Sequence, residues 1–148
     1  MIIFKLIFFL LPFTFLLGCS PNTDENNNKI TVKDVWIREV LPGSDITAGY
    51  MTIMNHGNVD DTLIDIKCGC SEKVELHTTT IDSNDVARMK MIKNIKISSG
   101  ETLELSPGSY HLMIMGIKNS MKEKDKVTFE LNFQKQGKVI VDASIRGF

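Results

Sequence analysis

The chain has 148 residues, with 17 Lys or Arg against 18 Asp or Glu, for a formal charge of −1. That balance lacks the basic excess on which nucleic-acid binding depends, and a hydrophobic content of 43% suits one packed domain rather than a disordered chain. Three cysteines against eight methionines make the thioether the commoner sulfur.

Lys5 is the only charge ahead of an apolar run at residues 6–17, which is too short for a stable spanning helix and has the length of a signal-peptide core. The run ends in Leu16-Leu17-Gly18-Cys19, which resembles a bacterial lipoprotein box. Residues 1–18 are therefore expected to be a lipoprotein signal peptide, and Cys19 the lipidated first residue of an exported chain anchored in the bacterial cell envelope. Residues 19–29, mostly Ser20-Pro21-Asn22-Thr23-Asp24-Glu25-Asn26-Asn27-Asn28, have nothing to bury and read as a flexible tether. Its full extension is about 35 Å, so the domain at residues 30–148 stays near the membrane.

Within that domain the apolar residues alternate over short runs, with no sustained helical period. Strands are predicted at 31–40, carrying Val32, Trp36 and Val40, and at 48–54, carrying Tyr50 and Ile53. Others are predicted at 62–66, 74–79, 86–92, 102–105, 110–114, 127–133 and 139–145. Between them stand turn residues such as His56-Gly57-Asn58, Asp82-Ser83-Asn84, Pro107-Gly108 and Gln136-Gly137. Eight or nine short strands at this spacing make an all-β sandwich or Greek-key barrel.

Four residues on these strands suit a metal. His111 and Met113 are two apart, so their side chains leave the same face, away from Leu112 and Ile114. Met89 and Met91 share a face of the strand at 86–92, and antiparallel pairing with the preceding strand can bring His77 near Met89. Imidazole and thioether are borderline-to-soft ligands that fit Cu(I), and a thioether forms no disulfide in an oxidising compartment. Met91 and Met115 share faces with the ligands and are the natural substitutes. Met51, Met54 and Met121 are assigned to packing and His56 to a solvated turn.

Cys68-Gly69-Cys70 stands apart from this set. It could be a small structural disulfide, a second soft-metal site or a thiol-exchange pair, with no helix predicted after Cys70 to lower a thiol pKa.

The spacing His77, eleven residues, Met89, twenty-one residues, His111, one residue, Met113 resembles the copper-binding pattern of periplasmic copper chaperones of the PCu(A)C type. Val35-Trp36-Ile37-Arg38, Ala48-Gly49-Tyr50-Met51-Thr52-Ile53, Val74-Glu75-Leu76-His77 and the segment from Pro107 to Gly116 are similar to that family's landmarks. The likeness runs from about Val32 to Ile145. It implies a cupredoxin-like β-sandwich or barrel that carries Cu(I) on the periplasmic side toward cytochrome oxidase assembly, as a monomer and not an enzyme. Thr78 departs from the pattern, in which methionine often follows the first histidine, and the cysteine pair is foreign to it. Two other readings stay open: a thiol-disulfide protein acting through Cys68 and Cys70, and a lipoprotein whose β-domain binds another protein.

Overall fold

The structure, a computed structural model, describes residues 30–118, 121–122 and 125–147; the expected signal peptide, Cys19 and the tether lie outside them. The described residues form ten strands: β1 (Ile30–Arg38), β2 (Ile46–Asn55), β3 (Asp61–Cys68), β4 (Ser71–Ile81), β5 (Ala87–Ile92), β6 (Ile95–Ile97), β7 (Thr102–Leu105), β8 (Tyr110–Ile117), β9 (Lys126–Phe133) and β10 (Gly137–Arg146). No helix occurs among the described residues. The strands pair in the order β5-β4-β8-β7-β2-β1-β10-β9-β3-β6, with a further β8–β2 ladder. All pairs are antiparallel except β1–β10 and β7–β8.

Consecutive strands β3 and β4 stand far apart in this order, yet only Gly69 and Cys70 separate them. The sheet therefore folds over itself, and its inward residues meet in one core. Alternation supplies that core: Val127, Phe129, Leu131 and Phe133 from β9, Leu112 and Ile114 from β8, and Met51 and Ile53 from β2 are all buried. Among the described residues every buried apolar side chain except Tyr50 belongs to this one cluster, so the domain from residue 30 has a core of its own.

β1 departs from simple alternation. Its register with β2 shifts between Lys33 and Trp36, and Asp34 lies in the left-handed region at φ 52°. This bulge turns Val35 and Ile37 inward instead of continuing the expected series Val32, Trp36, Val40. Trp36 then covers Tyr50 from outside, ring centroids 4.3 Å apart.

Two buried polar side chains hold the turns. Asn55 donates through Nδ2 to the Val59 and Ile97 carbonyls and accepts from the Gly57 amide, fixing the turn that the sequence marks at His56-Gly57-Asn58. Asp61, 1% exposed, accepts from the backbone amides of Thr62, Lys135 and Gln136, tying the start of β3 to the β9–β10 turn. His56 is exposed and bonded to Thr31, and Met51 and Met121 are buried in the core, as expected.

Candidate metal centre

The outward face of the β5-β4-β8 end of the sheet carries all four candidate ligands. His77 on β4 is directly opposite His111 on β8, with ring centroids 5.9 Å apart. Met113 follows two residues along β8 on the same face, opposite Glu75. On the other side of β4, His77 pairs with Met91, while Met89 pairs with Thr79. The expected approach of His77 to Met89 is thus one step diagonal, and Met91 is the direct neighbour.

Local sequence builds each support. Ser106-Pro107-Gly108-Ser109 forms a type II turn, with Gly108 at φ 82° and the Ser109 amide bonded to the Ser106 carbonyl. That turn launches β8 and aims the Ser109 carbonyl inward, where it accepts from the Thr79 amide and from His111 Nδ1, each within 3.1 Å. The β4–β5 hairpin is closed by Asp82, whose carboxylate accepts from the Asn84 and Val86 amides and from Arg88. It returns β5 along β4 as the last strand of the sheet, so Met89 and Met91 sit on an edge, 65% and 51% exposed. The imidazoles are enclosed by contrast: His111 is 8% exposed and the His77 side chain 13%.

Glu75, not among the residues expected from the sequence, lies on this face beside His77 and opposite Met113. Its carboxylate lies between Lys73 Nζ at 2.6 Å and His77 Nε2 at 2.9 Å. Lys73 first, then His77, holds the Glu75 carboxyl below the ordinary 4.5. His77 Nδ1 is buried with no hydrogen-bond partner. The signal was there to read, since a residue two before His77 on a strand shares its face.

Among the described residues no three His, Cys, Asp or Glu side chains gather to hold a metal ion. Two imidazoles with neighbouring thioethers are a donor set that suits a soft cation. The cysteines are not part of this set. Cys68 and Cys70 form a disulfide in the β3–β4 turn, next to Ser71, six residues along β4 from His77 and so roughly 20 Å away.

Over residues 30–145 the chain matches the family described as "Putative lipoprotein LpqE-like". It belongs to the LpqE-like family. A curated relative of this LpqE-like chain is "Putative lipoprotein Lxx21020" of Leifsonia xyli subsp. xyli, 25% identical over 125 residues that span 80% of this chain and 74% of that one. Among solved structures, the copper-bound PCuAC domain from PmoF2 superposes with a TM-score of 0.69 at 22% identity, covering 81% of this chain and 94% of that domain. The Cu(I) form of DR1885 from Deinococcus radiodurans gives 0.62 at 26% identity, covering 76% and 74%. The LpqE-like chain thus has the all-β, cupredoxin-like fold of the PCuAC domains, as its sequence led one to expect.

Proposed function

We propose that this protein is an extracytoplasmic carrier that binds one Cu(I) through His77, Met89, His111 and Met113 and delivers it to a copper-receiving envelope protein. The observation that carries the reading is the facing pair His77 and His111, flanked by methionines on one outward face, with His77 Nδ1 buried and unpartnered. A buried polar nitrogen without a partner is costly, and a metal ion at that nitrogen removes the cost. The copper carried by the PmoF2 domain and by DR1885 supports the choice of ion.

The exposed Met89 suits release. Its thioether, on the edge strand, can leave the metal while the imidazoles and Met113 keep hold, which a carrier needs and a permanent centre does not. No nucleophile or general base is required for such work. The receiving centre we have in mind is that of cytochrome oxidase, and the lipoprotein description of the family and of the Leifsonia relative supports an envelope location with Cys19 as the anchor.

Titration of the reduced protein with Cu(I) against a chromophoric chelator should show one equivalent bound, and His111→Ala/Met113→Ala should abolish it. Full binding by that double variant would overturn the assignment. Fractionation tests the anchor: Cys19→Ser should move the protein from membranes to the soluble envelope fraction with Cu(I) binding intact, and unchanged membrane association would exclude the lipid.

A further inference from the structure

The two imidazoles of the site are held by different nitrogens. His77 presents Nε2 to the Glu75 carboxylate at 2.9 Å, and His111 presents Nδ1 to the Ser109 carbonyl at 3.0 Å. Both partners are acceptors, since a carbonyl has no proton to give and an ionised carboxylate has none either. Lys73, 2.6 Å from the other carboxylate oxygen, occupies Glu75 from its far side and favours the ionised form. A neutral imidazole has one N–H and one lone pair, so the nitrogen that meets an acceptor must carry the hydrogen. The lone pair of His77 then lies on Nδ1, the atom that is buried and without a partner. That of His111 lies on Nε2.

We propose that Glu75 is a positioning residue that makes His77 a metal ligand through Nδ1, opposite to the Nε2 ligation that Ser109 sets for His111. The inference rests on the Cu(I)-carrier reading above. A metal-bound histidine ordinarily gives its second ring N–H to a carboxylate or a carbonyl, which fixes the tautomer and the ring and raises the basicity of the ligating nitrogen. Here one site uses both kinds of holder. Geometry explains the division: Glu75 leaves β4 on the same face as His77, two residues before it, whereas Ser109 reaches His111 by its backbone from the turn that starts β8. Glu75 is also opposite Met113 in the β4–β8 ladder, so its carboxylate stands at the edge of the ligand set. Its charge offsets that of the bound monovalent ion in a partly enclosed site.

The test uses the segment from residue 30 to 148, which contains the whole described core, with 15N-labelled histidine. Long-range 1H–15N correlation spectra of the metal-free protein should show His77 as the Nε2–H tautomer and His111 as the Nδ1–H tautomer. Adding Cu(I) should shift Nδ1 of His77 and Nε2 of His111. Glu75→Gln, whose amide oxygen still accepts from Nε2–H, should keep this pattern. Glu75→Leu should leave His77 a mixture of tautomers and weaken Cu(I) binding by about 10- to 100-fold, the usual cost of losing a ligand's holder. The His111 signals should stay as in the parent, which reports that the fold is intact. Coordination of His77 through Nε2, or parent affinity in Glu75→Leu, would overturn the inference while leaving the carrier reading in place. Absence of any Cu(I) response would sink both.

Discussion

At the scale of single residues, the site shows how strand parity converts sequence spacing into a shared face. His111 with Met113, and Met89 with Met91, could be placed together from their two-residue spacing alone, and the structure puts them on one outward face. Which methionine meets His77 could not be read that way, because pairing register depends on how the Asp82 turn closes, and that sets Met91 opposite His77 and Met89 opposite Thr79. Both thioethers are exposed on the edge strand, Met91 directly across from His77 and Met89 two residues along β5 on the same face. We therefore expect Met89→Leu alone to weaken Cu(I) binding by roughly tenfold, about 1.4 kcal/mol, with Met91 substituting in part. Met89→Leu/Met91→Leu should weaken it far more than the two single changes combined. Chelator competition on the three variants checks this, and a double variant that binds no more weakly than Met89→Leu would show that Met91 takes no part.

At the scale of elements, alternation and turn chemistry located nearly all the strands, and the failures have local causes. β6 is three residues long and shows too little alternation to stand out. In β1 the bulge at Asp34 reverses which residues face inward, something a period-two pattern cannot show in advance. The Cys68-Gly69-Cys70 turn is the element whose role the sequence left open. Its disulfide closes only the short corner between β3 and β4, and a ring so small removes little freedom from the unfolded chain. Cys68→Ser/Cys70→Ser should accordingly bind one Cu(I) with parent affinity and melt within a few degrees of the parent, roughly the shift that 1 kcal/mol produces. Loss of half or more of the bound copper would move the cysteines into the site and revive the thiol reading.

At the scale of the whole molecule, the folded-over sheet buries one core, takes Asp61 in with it, and keeps most of its ion pairs at the surface. Among the described residues four carboxyls stand below their ordinary values. Asp60 is held down chiefly by Lys96, Glu75 by Lys73, Asp82 by the Asn84 amide and Glu130 by Lys138. A carboxyl whose pKa is lower in the folded than in the unfolded chain binds fewer protons when folded. Its contribution to stability is complete above the unfolded values, 3.8 for Asp and 4.5 for Glu, and fades as pH falls through the folded ones. Asp60 and Glu130 lie away from the metal face, so replacing them isolates this effect from copper binding. Asp60→Asn/Glu130→Gln should therefore unfold at lower urea concentration than the parent at pH 7, with the gap closing as pH falls below about 4.5. Because both pairs are exposed, the gap at pH 7 should also narrow in high salt, which screens surface charges. Urea midpoints of the metal-free proteins between pH 7 and pH 3 decide the matter: a gap that stays constant over that range would mean that these two carboxylates contribute through shape or hydrogen bonding and not through charge.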